Sequence, residues 1–233
     1  SINVTTDIFK ADPYAWKCVL ANSLVGSPND VSNQINSGTT EKVMTVSGAT
    51  ANTAGNFYGG SYKFVAASNQ QITTPGSSDF AFGTGDFCVE CWYYNDTSGG
   101  GTTYNQLVGN IESSAAGFWR IGSVFAGGNQ FWFTYTNGNY NDVFTNVNIN
   151  DGRWHHLAAT RESGTLRLFI DGVVRATATV TQNLSQTTTL RMMYSAQQPG
   201  YANGYLQDVR VYNGVAKYTE NFVVGSTTPD LLP

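Results

Sequence analysis

The sequence predicts an all-β fold, a two-sheet antiparallel β-sandwich. Three observations carry this expectation. Short alternating runs of apolar and polar residues recur along the chain, with turn residues at roughly 8–12-residue spacing. Residues 151–180 read as a three-stranded meander. In it Leu166, Leu168 and Ile170 point one way and Arg167 and Phe169 the other. Asp171-Gly172 follows at once, a two-residue pair that favours a tight hairpin, and Glu162-Ser163-Gly164 supplies the turn before it. Finally, no long helical periodicity, repeat or second domain interrupts the pattern.

The elements follow in order. Residues 1–11 are polar and β-branched, with Ile2, Val4 and Thr6 alternating against Asn3 and Thr5. They read as an extended arm able to add to a neighbour's sheet edge. Residues 12–233 form the domain. A first strand is expected over residues 14–20, a long polar loop over 25–41, and strands near 43–46, 57–66 and 70–74. Pro75 to Phe80 suits one helical turn capped by Ser or Asp. Residues 86–94 are apolar on both faces, as a central strand buried between layers should be. A glycine tip at 99–101 precedes strands at 106–110, 117–125, 130–136 and 142–148. After the meander, in which Val174, Ala176, Ala178 and Val180 alternate with Arg175, Thr177 and Thr179, come strands at 188–194 and 205–212.

Composition narrows the function. Charged residues are 12% of the chain, against roughly 25% in an average soluble domain. Twelve Lys and Arg against sixteen Asp and Glu leave a net charge of −4 without a basic cluster, which argues against nucleic acid as partner. Nothing approaches the ~20 apolar residues of a membrane span, and no leader pattern opens the chain. A start at Ser1 leads to the expectation of a cytosolic product that has lost its initiator Met. Cys18, Cys88 and Cys91 cannot all pair. With Cys88 and Cys91 three apart on one strand, they face opposite sides and read as reduced, buried thiols.

Several stretches also carry a family resemblance. Asp151-Gly-x-Trp-His-His-Leu-Ala, the glycine turn and Leu166-x-Leu-Phe-Ile-Asp-Gly resemble the core of laminin-G-like, concanavalin A-like lectin-glucanase jelly rolls. FYGGSYKF at 57–64, FGTGDFCVECW at 82–92 and the closing segment 204–222 fit the same family in the same order. The ending VAKYTENF is similar to versions found in structural proteins of marine and cyanobacterial bacteriophages.

The candidate chemistry is sparse. Hydrolysis on such a fold needs two carboxylates facing one cleft, and related jelly-roll enzymes place them as Glu-x-Asp-x-x-Glu on one strand. Here Glu90 and Asp208 each stand alone, which leaves them to accept hydrogen bonds from the sheet or from Arg210 or Arg120. No catalytic residue is expected. His155 and His156 are adjacent on a strand and cannot serve one metal, so no metal site is expected from them. The resemblance raises calcium at loop carboxylates, with Asp96, Asp142 and Asp151 as candidates. A glycan surface has candidates in Asn137, Asn139 and Tyr140 at a hairpin tip and in Tyr201, while Phe131, Phe133 and Tyr135 share a core face.

The expectation is a non-enzymatic bacteriophage virion surface protein without cofactor, made in the host cytoplasm. Capsid decoration with weak glycan adhesion comes first, and a tail-fibre or receptor-binding module for host-surface carbohydrate is the alternative. Its expected partners are other capsid or tail subunits, further copies of itself and a host-surface glycan.

Overall fold

The computed structural model describes residues 12–53, 59–96, 104–124, 128, 130–197 and 200–224. The expected arm at residues 1–11 and the glycine tip at 99–101 lie outside these. In chain order the strands are β1 (Cys18–Asn22), β2 (Thr45–Ser47), β3 (Thr50–Asn52), β4 (Ser61–Phe64), β5 (Gln71–Thr74), β6 (Phe87–Asn95), β7 (Tyr104–Gly109), β8 (Trp119–Val124) and β9 (Gln130–Thr136). They continue as β10 (Tyr140–Asn148), β11 (Trp154–Glu162), β12 (Thr165–Ile170), β13 (Val173–Thr179), β14 (Leu190–Met192), β15 (Tyr194–Ser195), β16 (Gly200–Tyr201) and β17 (Gly204–Asn213).

Sheet I runs β13-β12-β11-β6-β17-β4-β3, with β1 also paired to β17. Sheet II runs β10-β9-β8-β7-β14-β5-β2, and β15 and β16 form a separate hairpin. The strand pairings within both sheets are antiparallel, so the sandwich read from the sequence is the fold. As expected, β6 is central, between β11 and β17.

Period-2 alternation fills the space between the sheets. Val89, Cys91, Tyr93, Leu157, Leu166, Leu168 and Ile170 enter from sheet I, and Leu107, Trp119, Ile121, Phe131, Phe133 and Met192 enter from sheet II. Phe82 stacks at 4.5 Å on Phe87 and at 4.8 Å on Trp119. The Trp119 indole N–H is satisfied by the Phe80 carbonyl at 2.9 Å. Both meander turns take the mirror-image geometry that suits twisted hairpins, with positive φ at Ser163 and Gly164 and at Asp171 and Gly172. Cys91 faces this core. Cys88 faces a second cluster with Cys18, Ala21 and Tyr212, and all three thiols are free and buried. Burial pushes the Cys18 thiol up to about 12 and raises the Cys88 and Cys91 thiols as well.

Some boundaries differ from expectation, each for a local reason. Residues 15–17 form a 3₁₀ turn rather than strand, because the Asp12 carboxylate accepts the Tyr14 N–H at 2.9 Å and curls the entry. The 25–41 loop contains a helical turn, Ser32–Ile35, organised by buried Asp30. That carboxylate accepts the backbone N–H groups of Ala21, Ser32 and Lys42. The expected 188–194 strand is broken at Met193, whose φ of 62° takes the chain out of sheet II and into the β15–β16 hairpin. On β13 a bulge skips Arg175, so that Leu168 pairs Ala176 but Phe169 pairs Val174. Val174 is therefore turned off the inward face and is exposed, while Ala176 and Ala178 pack on the core. The β3 strand was not anticipated.

Candidate functional site

The glycan candidates converge on the outer side of sheet II. Alternation on β9 sends Phe131, Phe133 and Tyr135 inward and Trp132, Thr134 and Thr136 outward. Cross-strand register then lays out two rows. One runs Arg191, Gly109, Arg120, Thr134, Asp142, and the other Gln106, Gly122, Trp132, Phe144.

Two glycines make the floor. A Cβ on Gly109 would meet Arg120 Cβ at 2.3 Å, and one on Gly122 would meet the Trp132 ring at 2.9 Å and the Asn105 carbonyl at 2.3 Å. Arg120 and Trp132 can lie on the sheet only because those side chains are missing. The Arg120 guanidinium sits 4.5 Å from the Trp132 ring centre and 5.8 Å from that of Tyr140, within cation–π range. It donates through Nη1 to Ser195 Oγ at 3.0 Å and through Nε to Thr134 Oγ1 at 3.4 Å. The Thr134 hydroxyl in turn donates to Asp142 at 2.5 Å. Burial pushes Arg120 down to about 10, against the opposing pull of Asp142, so it stays a cation at neutral pH. Arg120 is thus a buried post beneath Tyr140 and the β15–β16 hairpin.

The rim stands above this post. The Tyr140 hydroxyl donates to Gln197 Oε1 at 3.3 Å, and Gln197 Nε2 donates to the Glu112 carbonyl. Tyr201 stacks on Tyr194 at 4.5 Å. Arg191 lies 5.9 Å from the Tyr194 ring and pairs with Glu112 at 2.9 Å. Asn141 Nδ2 donates to Asn137 Oδ1 at 2.9 Å and to the Asn139 carbonyl at 3.1 Å, holding the exposed 137–139 tip. The four residues nominated from sequence, Asn137, Asn139, Tyr140 and Tyr201, therefore belong to one rim, joined through Gln197. Sequence reasoning missed Arg120, Trp132, Gln197 and the Arg191–Glu112 pair. The signal was present as glycines at 109 and 122, but only register shows that they lie under Arg120 and Trp132.

The remaining candidates are engaged elsewhere. Glu90 lies on the outer side of sheet I, buried beneath the 215–224 segment. It accepts from Lys217 Nζ and Tyr218 OH, each at 2.8 Å, and faces His156 Nε2 at 3.3 Å. Burial alone would raise its carboxyl, but Lys217, His156 and Arg210 outweigh that and hold it well below the usual carboxylate range. The sequence expectation of an arginine partner for Glu90 is corrected, since Lys217 and Tyr218 of the 215–224 segment take that place, while His156 on the neighbouring β11 is the partner from the sheet. Asp208 does take an arginine, Arg210, through a two-pronged contact at 2.7 Å on each prong.

His155 points away from His156, with Nδ1 at 2.7 Å from Asp171 and Nε2 at 3.0 Å from Asp151. The three carboxylates raised for calcium lie in separate settings: Asp96 is 3.9 Å from Lys63, Asp142 accepts from Thr134, and Asp151 faces His155 and Arg153. Among the described residues, no group of three or more His, Cys, Asp or Glu is placed to hold a metal ion. An open cleft of about 240 Å³ near Lys42 and Gly76 is separate from the rim, and its Lys42 ammonium is occupied by Thr39, the Thr40 carbonyl and Asp79. No described helix is long and apolar enough to cross a membrane.

Comparison with known proteins places this architecture. None of the curated proteins matches the sequence. The fold is similar to the binding domain of Paraclostridial Mosquitocidal Protein 1, with a TM-score of 0.66 at 13% identity over 88% of this chain and 51% of that one. It is similar to the botulinum neurotoxin serotype G binding domain, with a TM-score of 0.63 at 15% identity over 86% of this chain and 49% of that one. This chain spans about half the length of those toxin domains. Domain 4 of AbnA, a GH43 extracellular arabinanase from Geobacillus stearothermophilus solved with arabinotriose, matches at a TM-score of 0.63 and 17% identity, over 86% of this chain and 94% of that one. At such identities the likeness is one of fold. Residues 66–220, more than half of the chain, match the family described as the concanavalin A-like lectin/glucanases superfamily. With the sandwich, the central β6 and the β11–β13 meander in place, the chain belongs to the concanavalin A-like lectin/glucanase superfamily.

Proposed function

We propose that the chain is a non-enzymatic carbohydrate-adhesion domain that works as a bacteriophage virion surface protein, most specifically a capsid decoration or accessory subunit. One observation carries the adhesion reading: the Tyr140–Gln197 contact joins the 137–140 tip and the β15–β16 hairpin into one rim. That rim combines tyrosine rings, exposed amides and an Arg–Glu pair, the mixture that recognises sugar hydroxyls and ring faces. Superfamily membership supports it, as does an arabinotriose complex in a protein of the same fold. The non-enzymatic part rests on Glu90 and Asp208, whose oxygens are taken by internal partners, and the domain acts on this reading without a resident cofactor.

The virion part rests on the closing-segment resemblance and the low-charge surface, with other capsid or tail subunits and further copies of the chain as partners. A tail-fibre or receptor-binding role is the second reading, favoured by the exposure of the rim tip. A glycan array with and without added calcium tests adhesion. Tyr140→Ala and Tyr201→Ala should each weaken the strongest hit about tenfold, the loss expected of an aromatic anchor. An array without hits, or hits indifferent to both substitutions, overturns it. Copy-number mass spectrometry of purified virions separates the roles. Abundance near that of the major capsid protein supports decoration, a few copies support a fibre, and absence removes both.

A further inference from the structure

We infer that sheet I carries a second sugar-contact surface, an aromatic ledge that takes a linear, uncharged polysaccharide chain independently of the rim. Cross-strand register sets Trp154 on β11 beside Tyr94 on β6, Tyr94 beside Tyr205 on β17, and Tyr205 beside Lys63 on β4. Their chain neighbours Tyr93 and Leu206 are in the core, so all four project from the outer side. Each is half-buried. The rings form one connected cluster: Tyr94 to Tyr205 is 5.5 Å, Tyr94 to Trp154 is 5.7 Å and Trp154 to Tyr205 is 6.3 Å. Lys63 Nζ lies 5.6 Å from the Tyr205 ring centre and 3.9 Å from the Asp96 carboxylate.

The next row along the same side is closed off. There His156 and Trp92 are buried, and Tyr218 and Phe222 from the 215–224 segment pack edge-on against His156 at 6.2 and 5.7 Å. Among the described residues the ledge is therefore the aromatic part of this side left half-open, three rings on three adjacent strands with Lys63 on the fourth.

Its dimensions choose the occupant. A stable protein partner needs about 800 Å² on each side. Three half-buried aromatic rings, with centres 5.5–6.3 Å apart, expose on the order of 100–200 Å² between them, too little for a protein and matched to one or two sugar units of a longer chain. Charge chooses further, because Lys63 and Asp96 offset each other and favour a neutral polymer. The rings are tilted by 52° to 78° from one another, so they fit a single twisted chain rather than the flat face of a crystalline polymer.

The test is affinity electrophoresis of the full chain through gels containing hydroxyethyl cellulose, arabinan or galactomannan, with alginate as the acidic control and crystalline cellulose in a pull-down. At least one neutral soluble polymer should retard the protein, while alginate and crystalline cellulose should not retain it. Trp154→Ala and Tyr205→Ala should each weaken retardation about tenfold, a change equal to 1.4 kcal/mol. An Arg175→Ala control, exposed on β13 and apart from both surfaces, should be retarded as before. Circular dichroism checks each fold, and Tyr205→Ala alone decides if Trp154→Ala does not fold. No retardation by any neutral polymer, retention by crystalline cellulose or alginate alone, or retardation unchanged in Tyr205→Ala overturns the ledge. Loss confined to a Tyr140→Ala/Tyr201→Ala double variant assigns binding to the rim and also overturns the ledge.

Discussion

Replacing Glu90 with Gln tests whether that carboxylate holds the sandwich together or does chemistry. In the native protein its oxygens serve three donors, Lys217 and Tyr218 at 2.8 Å and His156 at 3.3 Å, in a site closed to solvent. The amide keeps the shape but offers one accepting oxygen, so at least one of these groups faces an N–H₂ instead. Lys217 keeps Asp12 at 3.3 Å. Removing one partner of a buried ion pair costs about 3–5 kcal/mol, and the retained oxygen places this variant near 3. For a chain of this size that corresponds to a melting point lower by roughly 6–12 °C.

The loss should depend on pH. Folding lowers the Glu90 pKa, so the native advantage is fully present above the unfolded value of about 4.3. It fades as pH falls through that value toward the folded one. Urea denaturation of both proteins at pH 7 and at pH 3 measures this. A variant within about 0.5 kcal/mol of native at pH 7 would contradict the stabilising role, since such a change is the scale of an ordinary surface substitution. A gap of the same size at both pH values would contradict the ionised form as its cause. If the purified protein cleaved a β-glucan or exopolysaccharide and Glu90→Gln abolished cleavage, the non-enzymatic reading would fall.

Two further outcomes follow from the geometry. Gly122→Ala should destabilise by about 2 kcal/mol, in the range for overpacking, and weaken rim binding, because its Cβ would displace the Trp132 ring that supports Arg120; denaturation together with the glycan array reads both effects. His155 has a carboxylate at each ring nitrogen. Burial lowers its pKa, but hydrogen bonds to Asp171 and Asp151 prevail and raise it. Its stabilisation should therefore be full below the unfolded value of about 6.5 and be lost as pH rises through the folded pKa. An NMR titration of His155 should show the raised value, and in His155→Gln the stability difference from native should shrink from pH 5.5 to pH 9.

The sequence by itself determined the all-β class, the central β6, the β11–β13 meander and its two turns. These are local matters: alternation assigns faces, and an Asp-Gly pair accepts the positive φ values that a tight hairpin demands. It also determined that Cys88 and Cys91 face opposite sides and that Phe131, Phe133 and Tyr135 are core. Local rules failed where a distant group intervenes, as with Asp30 drawing the 25–41 loop around itself or the Arg175 bulge turning Val174 outward. Tertiary structure alone decided the site. Residues 140 and 197 are 57 positions apart, and nothing in either segment encodes their meeting. Glycines 109 and 122 become a floor for Arg120 and Trp132 only once three strands are in register. The same holds for Trp154, Tyr94, Tyr205 and Lys63, unremarkable one by one and a ledge side by side. Spacing along one strand is written in the sequence, whereas adjacency across strands depends on how many residues each turn and bulge consumes, and that sum closes only in the folded sheet.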